Sequence, residues 1–183
     1  MANDRSGWVT LATEIIYENP WIRLEEHRVI NPGGGRNLYG KVCFKNRAVA
    51  IIAIDNEAHL YLVGQQRYTL DAYSWELPMG GAPLDEDPLT AARRELQEET
   101  GLSAESWSQI MRLHLSNSVT DEQGIVYLAR GLTRGQPQFE ETEDIAIRRI
   151  PVEDAVSMAM DGRITDAVSV AALLRLQATG WGD

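Results

Sequence analysis

Gly80-Gly81-Ala82-Pro83-Leu84-Asp85-Glu86-Asp87-Pro88-Leu89-Thr90-Ala91-Ala92-Arg93-Arg94-Glu95-Leu96-Gln97-Glu98-Glu99-Thr100-Gly101-Leu102 decides the reading of this chain. The spacing predicts a helix from Pro88 to Thr100. Asp87 can accept from the first free backbone N–H groups, and Pro88 falls at the first helical position, where a missing N–H costs nothing. Gly101 suits the left-handed conformation that ends a helix, with Leu102 folding back onto the last turn. Leu89, Ala92 and Leu96 form one apolar face for packing on a sheet.

On the same helix Glu95 and Glu99 stand one turn apart, with Glu98 on the same side. Three carboxylates so placed repel one another. Arg94, four residues before Glu98, can offset one charge, while Glu95 and Glu99 have no cation at a matching position. A hard divalent cation such as Mg²⁺ or Mn²⁺ takes oxygen ligands and would relieve the repulsion. Glu86, in the loop before the helix, can reach back to Arg94 and brace the loop. Gly80 and Gly81 let backbone approach a ligand closely. A glutamate-rich helix alone reads as a solvated face. With Gly80, Glu86, Arg94 and Gly101 at these offsets, chance would produce the pattern on the order of once per million chains.

Gly80, Glu86, Arg94, Glu95, Leu96, Glu98, Glu99, Gly101 and Leu102 match the Nudix box (80–102) at every fixed position, and the chain resembles the Nudix hydrolases. The resemblance implies an α/β (α+β) Nudix fold over 44–178, a mixed β-sheet sandwiched between helices. It implies Mg²⁺- or Mn²⁺-dependent hydrolysis of a phosphoanhydride bond in a nucleoside diphosphate linked to another group. It assigns metal ligation to Glu95, Glu98 and Glu99, joined by the backbone carbonyl of Met79. It leaves Glu98 and Arg94 among the catalytic residues, Glu86 and Gly101 as structural braces, and Gly80 and Gly81 beside the substrate.

The flanks resemble the ADP-ribose pyrophosphatase and nucleoside diphosphate sugar branch. Gln65-Gln66-Arg67-Tyr68 and Trp75-Glu76-Leu77-Pro78-Met79-Gly80 are similar to its Gln-Tyr-Arg-like run and Glu-Leu-Pro-x-Gly lead-in. That implies Arg67 on the diphosphate or terminal ribose, where a guanidinium fork suits phosphate oxygens, and Glu76 on a ribose hydroxyl. The acidic run Glu140-Glu141-Thr142-Glu143-Asp144 is similar to a late loop of that branch, which implies Glu141 as general base and Glu143 as an extra metal ligand. Asn117 stands where ADP-ribose pyrophosphatases commonly carry proline. Other nucleotides therefore stay open: GDP-mannose, a dinucleotide or an oxidised nucleoside triphosphate. A non-catalytic nucleotide-sugar sensor stays open as well, although its usual mark, a damaged box, is absent.

Farther out, the pattern predicts strands at 8–15, 21–30, 37–44, 48–54, 59–64, 108–115, 125–129 and 145–150. Asp55-Asn56-Glu57 reads as a hairpin turn between two of them. Helices are expected at 151–160 and 166–178. Residues 1–43 form an N-terminal antiparallel β extension, and the resemblance implies that it joins two subunits into a homodimer. The chain has 183 residues, a net charge of −10 and a single cysteine, Cys43. That charge disfavours nucleic acid, whose phosphates call for the opposite sign. No stretch is apolar enough for a membrane helix. No internal disulfide can form, which suits a cytoplasmic protein.

Overall fold

The computed structural model describes residues 7–137 and 144–180. In chain order its elements are β1 (Val9–Glu18), β2 (Ile22–Ile30), β3 (Arg36–Phe44), β4 (Asn46–Ala53), β5 (His59–Arg67), β6 (Ala72–Glu76), β7 (Met79–Pro83), α1 (Pro88–Thr100), β8 (Leu102–His114), β9 (Gln123–Arg134), β10 (Ala146–Pro151), α2 (Val152–Met160) and α3 (Ala167–Thr179). They gather into two compact units, Met1–Asn46 with His114–Glu122, and Arg47–Leu113 with Gln123–Asp183.

The second unit holds the Nudix-box segment. Its four-stranded sheet runs β7-β4-β9-β8. The apolar run of β4 lies inside this sheet, paired in parallel with β9 from Ala48↔Gly124 to Ala53↔Ala129. Because side chains alternate between faces, one set of residues turns each way. Val49, Ile51 and Ala53, with Ile125, Tyr127 and Ala129, pack with Ala91, Ala92 and Leu96 of α1 in one core cluster. The opposite face meets α3, since a Cβ on Gly124 would lie 3.5 Å from Val168 Cγ2. A mixed sheet thus lies between helices. A second sheet, β10-β5-β6, is antiparallel, and α2 packs on its β5 and β10.

Helix α1 begins and ends as its local chemistry predicts. Asp87 Oδ2 accepts from the Thr90 N–H at 3.0 Å, and Gly101 closes the helix at φ 71°. Elsewhere the elements differ from expectation. The turn at Asp55-Asn56-Glu57 forms, with the Asp55 N–H donating to the His59 carbonyl at 2.9 Å. Only the Ile54↔Leu60 bridge joins its strands, which then enter different sheets. Strand β8 starts at Leu102, directly after the helix cap, rather than at 108. Strands β6 and β7 were not expected, because Glu-Leu-Pro-Met-Gly-Gly carries turn formers instead of a period-two pattern.

The first unit is the antiparallel sheet β1-β2-β3. The polar loop 114–122 belongs to it. Val42 N–H donates to Val119 O at 2.9 Å, Tyr39 Oη to Ser118 O at 2.5 Å, and Lys41 pairs with Asp121 at 2.8 Å. Cys43 is buried on β3.

Candidate active site

Helix α1 presents Glu95 and Glu99 inward, 9% and 2% exposed, and Glu98 at its margin. Glu99 is held by the strand that precedes the helix, its Oε2 accepting the Met79 N–H at 2.9 Å. Gly80 is next, and here the requirement for glycine is steric. A Cβ at Gly80 would fall on the Glu95 carboxyl group.

Arg94 does more than the helical spacing foretells. Its Nη1 donates to Glu95 Oε1 at 2.8 Å and to Glu98 Oε2 at 2.9 Å. Its Nη2 donates to the Gly81 carbonyl at 3.0 Å and lies 3.6 Å from Glu86 Oε2. The brace between loop and helix therefore exists. The expectation that Glu95 lacks a cation is corrected, because a long arginine side chain can turn beside its own helix turn and serve a neighbour one residue away. Partial burial disfavours the charge on Arg94, but Glu95 and Glu98 outweigh it and hold its pKa above the ordinary arginine value.

Gly101 is bound as well as left-handed. Its carbonyl accepts from the Gly135 N–H at 2.6 Å, and a Cβ there would sit 2.7 Å from Pro137 N. The segment 135–137 is thereby seated on the end of α1. Glu141 and Glu143 lie outside the described residues.

Arg67, at the end of β5, grips Glu76, at the end of β6, through both carboxylate oxygens. The pair runs diagonally across neighbouring strands, since Arg67 lies opposite Ala72 and Glu76 opposite Val63. Glu76 is 3% exposed. Its hydrogen bond raises the Arg67 pKa further; burial opposes this, and Glu99 and Asp166 add weaker attraction. One residue on, the Leu77 N–H donates to Ser169 Oγ of α3 at 2.9 Å. Sequence reasoning missed Ser169, since a serine in an apolar helix carries no local sign of a partner 92 residues away.

Among the described residues, no three Asp, Glu, His or Cys side chains converge as a ready metal cage. The donors still fit a hard divalent cation in kind. They are carboxylate oxygens on one side of a helix, next to a glycine that keeps side-chain bulk away.

The sequence profile of the NUDIX domain matches residues 44–173, and that of the nucleoside diphosphate sugar hydrolase N-terminal domain matches 8–42. The chain is 33% identical to an ADP-ribose pyrophosphatase of Mycobacterium tuberculosis, over 94% of this chain and 84% of that protein. It is 29% identical to an ADP-ribose pyrophosphatase of Bacillus subtilis, over 92% and 91%. It is 31% identical to a methanol dehydrogenase activator of Bacillus methanolicus over the same shares. In fold it is similar to the crystal structure of an ADP compounds hydrolase, with a TM-score of 0.83 and 22% identity across 94% of this chain and 96% of that one. Hydrolases of this kind generally use divalent metal ions. With an intact box on the matching fold, the chain belongs to the Nudix family of hydrolases.

Proposed function

We propose that this Nudix hydrolase cleaves the diphosphate bond of a nucleoside diphosphate linked to a sugar, ADP-ribose first among them, giving a nucleoside monophosphate and a sugar phosphate. The observation that carries the reading is the short lead-in from Glu76 to Gly80. It runs from the Arg67–Glu76 pair to the Glu99 carboxylate, so a phosphate-seeking guanidinium and the box carboxylates share one wall. The similarity to ADP-ribose pyrophosphatases over nearly the whole chain supports the same substrate class.

Glu95, Glu98 and Glu99 would hold Mg²⁺ or Mn²⁺, with the Met79 carbonyl and Glu143 as further ligands. Such ions neutralise diphosphate charge and lower the pKa of bound water. Arg94 aims Glu95 and Glu98 to the same side of α1, and Glu86 holds Arg94. Arg67 contacts the diphosphate or the sugar. Glu76, with both oxygens committed to Arg67, acts by fixing that guanidinium. Glu141 is the proposed base for the attacking water.

We also propose a homodimer formed through the N-terminal sheet. Every residue of β1 is exposed, among them Val9 at 48%, Ile15 at 55% and Tyr17 at 54%. An apolar edge strand open on both faces calls for a partner. We place the protein in the cytoplasm, without nucleic-acid or membrane partners. No described helix is long and apolar enough to cross a membrane.

The test is turnover of ADP-ribose, ADP-glucose, GDP-mannose, NADH, diadenosine polyphosphates and 8-oxo-dGTP with Mg²⁺ or Mn²⁺, beside Glu98→Gln. Fastest cleavage of ADP-ribose or another nucleoside diphosphate sugar, lost in the variant, is expected. Preference for the triphosphate would overturn the substrate reading. Tight binding without cleavage of any compound would favour a sensor.

A further inference from the structure

Between β6 and β7 the chain changes sheets. The last pair of β6 is Glu76 with Val63, in the β10-β5-β6 sheet, and β7 begins at Met79 in the β7-β4-β9-β8 sheet. Leu77 and Pro78 carry the switch, and both are buried. A backbone donor buried outside a ladder has to find an acceptor. Pro78 has no N–H to place. The Leu77 N–H donates to Ser169 Oγ of α3 at 2.9 Å. The Pro78 carbonyl accepts from the Ile51 N–H of β4 at 2.9 Å, and the Met79 N–H donates to Glu99 of α1. Successive residues of the lead-in are thus pinned to three different elements.

The Ser169 side chain is not needed by its own helix. Its backbone N–H is already taken by the α3 cap, Asp166 Oδ2, at 2.8 Å. Val168, Ala172 and Leu173 around it are buried and apolar, and Ser169 itself is 0% exposed. Alanine would suit that position better, by helix propensity and by the cost of burying a hydroxyl. The hydroxyl therefore serves the switch. Leu77 follows Glu76, which grips Arg67, and stands two residues before Met79, which holds Glu99. Peptide planes are rigid and turn about shared Cα atoms, so a turned Leu77 amide would shift Glu76 on one side and Met79 on the other.

We propose that Ser169 is a positioning residue of the active site. Acting through the Leu77 N–H, it keeps the guanidinium that meets the substrate in register with the carboxylates that hold the metal. This deepens the proposed hydrolase reading and rests on its assignment of Met79, Glu95, Glu98 and Glu99 to a divalent cation.

Ser169→Ala, Ser169→Val and Ser169→Thr in the full chain test the assignment, beside Leu176→Ala as a control. Leu176 is 3% exposed and lies farther along α3, so its truncation opens a cavity away from the switch. Each protein is measured well below its melting midpoint. Mn²⁺ affinity is read from the paramagnetic resonance of the free ion. Values of kcat and KM are taken with whichever nucleotide the wild type cleaves fastest. Ser169→Ala and Ser169→Val should bind Mn²⁺ about 10-fold more weakly and lose about 10-fold or more in kcat/KM, the scale of losing a support behind a metal ligand. Threonine has the shape of valine but keeps the hydroxyl, so Ser169→Thr should recover most of both. Leu176→Ala should melt earlier yet match the wild type in affinity and rate. Equal values for the threonine and valine variants would assign the effect to shape and overturn the proposal. Wild-type affinity and rate in Ser169→Ala would overturn it too, as would equal losses in Leu176→Ala. A wild type that binds no Mn²⁺ would remove the metal reading itself, and the proposal with it.

Discussion

The Met79 N–H and the Glu99 carboxylate meet at 2.9 Å, joining the first residue of β7 to the last full turn of α1. Glu99 is thus an acceptor for a partly buried backbone donor as well as a proposed metal ligand. The two roles separate on substitution. Glu99→Gln keeps an amide oxygen for Met79, so stability should change little while kcat/KM falls roughly 100-fold or more. Glu99→Ala also strands the donor and should cost about 1–3 kcal/mol. Urea unfolding and turnover, measured together, check both. Full activity in Glu99→Gln would remove Glu99 from the ligand set.

Gly80→Ala tests the space beneath Glu95. The added methyl would displace the Glu95 carboxyl group. Because the group met is the far end of a flexible side chain, stability should change little, while turnover should fall because Glu95 and its Arg94 partner must shift. A variant of wild-type stability and rate would show that this contact is slack.

Arg67→Met would leave Glu76 charged and 96% screened from solvent along its side chain, with no partner of opposite sign. Breaking such a pair costs about 3–5 kcal/mol, whereas replacing both members by apolar groups is often near neutral. Arg67→Met/Glu76→Met should therefore recover most of the lost stability and none of the lost activity. Thermal melts and kinetics on the three proteins decide this.

Asp55 supplies a pH dependence. Burial opposes its charge, but Arg149 and the N–H groups of His59 and Glu57 outweigh that and hold its pKa below the usual carboxylate value. A depressed folded pKa adds stability that is complete above the unfolded value, about 3.9, and is lost as pH falls through the folded one. Asp55→Asn should cost about 1–3 kcal/mol at pH 7, and the gap to wild type should shrink as pH drops below about 4. A gap constant from pH 7 to pH 2 would assign the effect to shape alone.

Light scattering behind a sizing column should give twice the chain mass. Ile15→Glu, placed on the fully exposed β1, should shift the protein toward the monomer. A monomeric wild type would remove the proposed dimer.

Sequence alone determined helix α1, its caps and the alignment of the box carboxylates, because capping, periodicity and i,i+4 spacing act within a few residues. It also determined the buried β4 and the N-terminal sheet, whose apolar runs and glycine-rich turn are local signals. Tertiary structure decided the rest. Arg94 serves Glu95 as well as Glu98 through a side-chain conformation that helical spacing does not specify. Gly80 is required because packing brings Glu95 from the next element against it. Loop 114–122, polar and free in the sequence, spends its groups on β3. The Leu77 N–H finds its acceptor only because α3 docks beside the lead-in strand and brings Ser169 to it. Contacts between residues this far apart are set by how elements pack, and no short window of sequence carries that information.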